Sequence, residues 1–267
     1  MTDSALTELV QRPAWSWQFS DWAWCHVDLL HDEAVRQITA SPVIPAFARH
    51  ILTEQEETPR IEAEGDVVAG VLPAFARTDD LNEFEVTHWR FSMTPQWLVT
   101  GREHPTRTLV RLRESVQNGL RPENPAALIN LCIGEFAREA RGRLAVLDRA
   151  LDEVEDRLIK ENEAARLNAL GGRLGVARRE AVDLKHAVTP LGRTLRLDAD
   201  DLPSWAELVT EGSGHRILHA VLDDIAAIYD QARALQDELT NRLAEETNRR
   251  LYVVSVVTAI AGLFAML

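Results

Sequence analysis

Lysine is nearly missing from this 267-residue chain: Lys160 and Lys185 are the only two, and arginine carries the rest of the positive charge. That is a bias of composition and points to no function. Cysteine is as scarce. Cys25 and Cys132 stand far apart without a CxxC, which excludes a disulfide framework and a cysteine-rich zinc module. Two reduced thiols agree with a cytoplasmic compartment. The first residues, MTDSALTELVQRPAW, have neither the basic start nor the apolar core of a signal peptide. Also absent are HExxH, GxSxG and the kinase and Rossmann signatures. The GGRLG at 171–175 lacks the GxxxxGK pattern of a phosphate loop and reads as a helix breaker. With no catalytic constellation, the chain is not expected to be an enzyme. An excess of basic residues is missing too. The net charge is -13, which argues against nucleic acid as a main partner. An acidic protein instead gathers cations around itself.

What is present is ordinary for a globular protein, 46% hydrophobic and 27% charged, with room for one large domain or two smaller ones. The exception is the end. Residues 251–267, LYVVSVVTAIAGLFAML, are seventeen residues without a charge, directly after Arg249 and Arg250. As a helix this run reaches roughly 25 Å, at the short end of what spans a bilayer core of about 30 Å. Positive flanks stay inside, which puts the large domain in the cytoplasm.

Along the chain, residues 1–20 read as a loose leader. WAWCHVDLL (22–30) is a strand candidate. Short helices follow from Asp32 and over 42–52. From 59 to 101 the pattern alternates, with Gly65-Asp66 as a hairpin turn, a clean alternation over 83–94 and a last strand ending at Gly101. This predicts a meander of three or four strands, bracketed by helices, and so an α/β sandwich. Helices are predicted over 105–118, over 125–169 with an end near Gly171-Gly172, and over 173–197 as the return arm of a helical hairpin. The first long helix carries an acidic outer half from Asp148 to Glu163. After the loop LDADDLPSW, one helix runs from about Gly214 to the end. Its apolar positions, Leu218, Leu222, Ile225, Tyr229, Ala232, (Gln236), Leu239 and Leu243, step by four and three, the signature of a packed seam. At roughly 80 Å such a helix needs partners. Self-association around the seam is one answer; lying against its own domain is the other. His26 and His88, on predicted strands, are expected to be hydrogen-bonded structural histidines.

On the last helix His215, His219 and Asp223 stand at i, i+4 and i+8. Two imidazoles and a carboxylate can bind zinc, with a neighbouring subunit or water completing the shell. A surface helix with idle histidines is the plainer reading.

The chain resembles the CorA superfamily of divalent-cation transporters, and within it the zinc-transporting ZntB branch. Trp24-Cys25-His26-Val27-Asp28 resembles the branch's first strand, PRIEAEGDVVAGVLPAF its hairpin strands, and ELTNRLAEETNRRLYVVSVVTAI its stalk and first membrane helix, with Thr247-Asn248 as the most specific piece. The resemblance covers residues 22–260. It implies an α/β fold: a cytoplasmic α/β/α sandwich with a long helical hairpin, then a very long stalk helix leading into a transmembrane helix. The expected division is a leader (1–20), a cytoplasmic funnel domain with the hairpin (21–200), a stalk (201–250) and a first membrane helix cut short (251–267).

The resemblance further implies a homopentamer in the inner membrane that passes Zn²⁺ or another divalent cation, with no tightly bound cofactor. Asn248, Leu251, Val254 and Thr258 share one helix face, which the resemblance assigns to the pore. Asp237 matches an acidic position that contributes to a regulatory cation site between subunits in magnesium-transporting relatives. The family's Gly-Met-Asn loop and second membrane helix have no counterpart after Ile260. The expectation is therefore of a shortened piece, a truncated gene product or a natural short variant that does not transport by itself. The alternative function is a non-transporting regulator, membrane-anchored or soluble, that assembles as an oligomer.

Overall fold

The computed structural model describes residues 14–77, 85–160, 164–197 and 202–264. Two units divide the chain: Met1–Arg141 with His186–Leu222, and Gly142–Lys185 with Asp223–Leu267.

The first unit is built on a six-stranded sheet. Its strands are β1 (Trp15–Gln18), β2 (Ala23–Asp28), β3 (Arg60–Glu64), β4 (Val67–Phe75), β5 (Val86–Met93) and β6 (Trp97–Arg102), in the order β1-β2-β6-β5-β4-β3. β3 to β6 form the predicted antiparallel meander. Gly65 makes the hairpin turn at φ 61°, a conformation that glycine adopts without steric cost. β2 joins the meander by pairing parallel with β6, Cys25 opposite Val99. The crossover between them carries two short helices, α1 (Asp32–Ala40) and α2 (Ala46–Thr53), as parallel strands require. β1 corrects the expectation of a leader over 1–20. WSWQ pairs antiparallel with β2, Trp15 opposite His26. Four residues behind Pro13 are too short for a pattern to show, and the pairing partner supplies the strand. Residues 1–13 of that leader lie outside the described residues, as do 83 and 84 of the predicted strand.

Alternation sends Ala23, Cys25 and Val27 of β2 and Trp97 and Val99 of β6 to one face. There they pack with Ile38 of α1 and Ala48, Ile51 and Leu52 of α2. Two further helices follow, α3 (Arg107–Gln117), on the other face, and α4 (Pro125–Lys160). Arg113 of α3 lies over the Trp15 ring, and Phe136 of α4 stacks on Phe75 at 4.9 Å. The sandwich is thus α/β/α, as expected. α3 starts at the cap Thr106, whose hydroxyl accepts from the Leu109 N–H, and α4 at Asn124, whose Oδ1 accepts from the Ala127 N–H at 2.8 Å. Pro125 takes the first helical position, where its missing N–H costs nothing.

The second unit is three helical stretches: the end of α4, most of α5 (Ala164–Leu197), and the long part of α7 (Ser213–Phe264). A short α6 (Leu208–Glu211) precedes α7. Buried residues step by three and four on each: Leu144, Leu147, Leu151, Val154 and Leu158; Leu167, Leu170, Leu174, Ala177, Ala181 and Leu184; Ile225, Ile228, Ala232, Leu235 and Leu239. Each buried leucine contributes about 1.5–3 kcal/mol relative to exposure.

Two expectations change here. The hairpin does not turn at Gly171-Gly172. α4 ends at Lys160, and α5 runs unbroken through both glycines and Gly175. A glycine inside a helix costs about 1 kcal/mol, which this packing outweighs. At Gly171 a Cβ would stand 3.2 Å from Leu239 Cδ2, so the small residue fits the approach of α7. The seam of α7 keeps Leu218, Ile225, Ala232 and Leu239 buried where the pattern put them, and its other row shifts by one residue. Val221, Ile228 and Leu235 are buried, whereas Tyr229 is half-buried and Gln236 exposed. The buried positions of the seam pack within their own chain, the second of the two answers that the sequence left open.

Candidate functional site

The features that carry a possible function lie along α7, a 52-residue helix. Its first turn is held in the first unit. Asn130 Oδ1 accepts the Gly214 N–H at 2.7 Å, and Asn130 Nδ2 donates to Ser213 Oγ at 3.5 Å. Any side chain at Gly214 would collide with the Asn130 carbonyl oxygen.

One turn on, His215 and His219 meet. Their Nε2 atoms are 2.8 Å apart and their rings stand edge to face, with centroids 4.4 Å apart. Both are half-buried. Burial, then His219, Arg196 and Arg216, lower the pKa of His215, while Glu211 opposes them. Asp223, the third member of the predicted set, is exposed. Among the described residues no three His, Cys, Asp or Glu side chains come close enough to hold a metal ion.

In the second unit Asp237 is exposed beside the seam. Arg242 reaches across: its Nε donates to Glu238 Oε1 at 2.6 Å and its Nη1 donates to the carbonyl of Leu158, near the end of α4. Cations favour that end of a helix. A cleft of about 380 Å³ opens here, lined by Leu167 of α5 and by polar residues of α7 from Glu238 to Arg249. Sequence reading missed this cleft and the clamp of Asn130 on Gly214. Both join residues distant in the chain and have no local signal.

After Glu246 the helix leaves its cover. Every residue from Thr247 to Ala261 is exposed, among them Leu251 (60%), Tyr252 (71%) and Val254 (60%). Asn248, Leu251, Val254 and Thr258 all lie in this stretch, on one helix face. Thr258 Oγ1 donates to the Val254 carbonyl and Ser255 Oγ to that of Leu251, each at 2.8 Å. Both hydroxyl protons are therefore satisfied inside the helix, as an apolar setting demands. Arg249 and Arg250 mark the polar edge, and Arg250 Nε pairs with Glu246 at 3.0 Å. No helix is long and apolar enough to cross a membrane among the described residues, which end at 264. An unbroken exposed apolar surface of this kind marks an interaction with membrane or protein.

Of the two strand histidines, His26 is hydrogen-bonded as expected, whereas His88 Nδ1 makes no hydrogen bond. His26 is buried, with Nδ1 2.8 Å from Thr100 Oγ1 and Nε2 accepting from Arg102 Nε at 3.2 Å. These contacts place the proton on Nδ1. Burial, aided by Arg102 and Arg113, pushes the pKa of His26 down to about 3. His88 Nδ1 stands 3.5 Å from Glu57, and burial lowers its pKa as well.

Residues 19–263 match the family model described as CorA-like Mg2+ transporter protein. Among curated proteins the chain is similar to "Zinc transport protein ZntB" of Yersinia enterocolitica, 21% identical over 254 residues, covering 91% of this chain and 76% of that protein. The protein of the same name from Enterobacter sp. is 21% identical over 263 residues with the same coverage. Three solved structures share the fold. The full-length CmaX protein gives a TM-score of 0.75 at 17% identity, over 92% of this chain and 76% of that one. The CorA magnesium transporter of Methanocaldococcus jannaschii gives 0.62 at 15%, over 94% and 77%. The ZntB cytoplasmic domain of Vibrio parahaemolyticus gives 0.61 at 18%, over 87% and 89%.

Proposed function

Because this chain belongs to the CorA family of divalent metal ion transporters, we propose that it is a subunit of a homopentameric zinc transporter of the inner membrane, with its α/β/α unit in the cytoplasm. The exposed apolar stretch of α7 after Arg249 and Arg250 carries this reading. Packed against copies of itself and lipid, it is the first membrane helix, and the seam up to Leu239 makes the stalk. Zinc is supported by the names of the curated relatives.

On this reading Asn248, Leu251, Val254 and Thr258 face the ion path. Asn248 and Thr258 present neutral oxygens to a cation that keeps its water shell, since dehydration is costly. Leu251 and Val254 form an apolar constriction that gates by dewetting. The acidic surface of the chain raises the cation concentration at the entrance. Asp237 supplies a carboxylate oxygen to a regulatory cation between subunits.

The test is uptake. The full-length gene product is reconstituted in liposomes, and Zn²⁺ entry is followed with Mg²⁺ or Co²⁺ as competitors. Zn²⁺ uptake above protein-free vesicles supports the proposal. An oligomer that takes up none of the three ions contradicts it and favours a membrane-anchored or soluble regulator.

A further inference from the structure

We propose that His215 and His219 form a chelating site for a divalent transition-metal cation, the class of Cu²⁺, Ni²⁺ and Zn²⁺. Residues four apart on a helix share a face, but their rings need not converge through the same atom. Here they do, Nε2 to Nε2 at 2.8 Å. In the neutral pair one Nε2 donates its proton and the other accepts it. A metal takes the place of that proton. The donor ring moves its hydrogen to Nδ1, and both Nε2 lone pairs then face the cation, with no net proton lost.

Metal–nitrogen distances of about 2.0–2.1 Å put two ligands at a right angle about 2.9 Å apart, and two tetrahedral ligands about 3.4 Å apart. The observed 2.8 Å matches the right-angle bite of Cu²⁺ and Ni²⁺. Zn²⁺ needs the rings to open by about half an ångström, a small rotation for half-buried side chains. Imidazole nitrogen suits all three metals, whereas Mg²⁺ prefers oxygen and is not bound. Among the described residues no third His, Cys, Asp or Glu joins the pair, so water fills the remaining positions. Arg196 and Arg216 act in two ways. They repel the incoming cation, and they help burial keep His215 neutral and ready to bind, with Glu211 opposing them. The site lies wholly within the first unit. It needs neither a membrane nor an oligomer, so it stands or falls apart from the transport proposal.

The test uses the tag-free full-length chain in detergent, with each metal added alone. Electron paramagnetic resonance of bound Cu²⁺ is expected to show two imidazole nitrogens. Calorimetry is expected to show Ni²⁺ affinity falling at least tenfold in His215→Gln and in His219→Gln, with no change in His186→Gln. Mg²⁺ is expected to give no heat and no competition. A Cu²⁺ spectrum with fewer than two nitrogens overturns the proposal, and so does Ni²⁺ affinity unchanged in both variants. The spectrum of the unaltered chain decides even if a variant fails to fold.

Discussion

The side-chain oxygen of Asn130 receives the backbone N–H of Gly214 at 2.7 Å, fastening the first turn of α7 to α4 within the first unit. Asn130→Ala removes the acceptor from a buried donor, which costs about 1–3 kcal/mol. Gly214→Ala forces a methyl against the Asn130 carbonyl and costs about as much by overpacking. Both variants are expected to melt several degrees below the parent by circular dichroism. A Ser213→Ala variant, which loses only a 3.5 Å contact, is expected to melt within about a degree of it.

The seam of α7 makes a sharper prediction, because its register differs from the one read in the sequence. Leu235 is buried and Gln236 exposed. Leu235→Ala is expected to lose about 2–5 kcal/mol, and Gln236→Ala less than about 0.5 kcal/mol. Urea unfolding of the two variants checks it. Equal losses would mean that the seam passes through Gln236.

Much of the fold was legible, and the failures share a cause. The alternation over β5 and the Gly65-Asp66 turn are local signals, and both appear where the pattern put them. β1 is a strand because β2 lies beside it, and four residues cannot announce that. Gly171 and Gly172 read as a break because intrinsic propensity is all that a sequence shows. Leu239, which approaches Gly171 in the folded chain, is 68 positions away. One row of the seam was misplaced because Leu222 and Val221 satisfy the same spacing between Leu218 and Ile225, and only tertiary packing chooses between them. At the site, helical spacing puts His215 and His219 on one face, but the meeting of their Nε2 atoms shows only in the fold. The cleft beside Arg242 and the Asn130 clamp depend on tertiary contacts that no local pattern encodes.

His26 predicts a dependence on pH. Its folded-state pKa is about 3, below the value near 6.5 of an unfolded chain. The stability it protects is therefore complete above about pH 6.5 and is lost as pH falls toward 3. The loss runs at up to about 1.4 kcal/mol for each pH unit. His26→Gln removes the titrating group at the expense of the bonds to Thr100 and Arg102. Urea midpoints measured from pH 7 to pH 4 are expected to start lower in the variant and to fall less steeply. Parallel curves would show that His26 takes up its proton without strain.

Asp237 is exposed, so Asp237→Asn is expected to leave stability within about 0.5 kcal/mol. If it binds a regulatory cation between subunits, the same variant loses the protection from proteolysis that millimolar Mg²⁺ or Zn²⁺ gives the parent. Protection equal to the parent's would remove Asp237 from any such site.

The central claim is that one face of α7, marked by Asn248, Leu251, Val254 and Thr258, looks toward the axis of an oligomer. Cysteine crosslinking in membranes tests it most directly, because Cys25 and Cys132 are buried and silent. Leu251→Cys and Val254→Cys are expected to give disulfide-linked chains under mild oxidation. Val253→Cys and Ile260→Cys, on the opposite face by helical rotation, are expected to remain uncrosslinked. Crosslinking that is equal on the two faces, or stronger at Val253 and Ile260, would contradict the account.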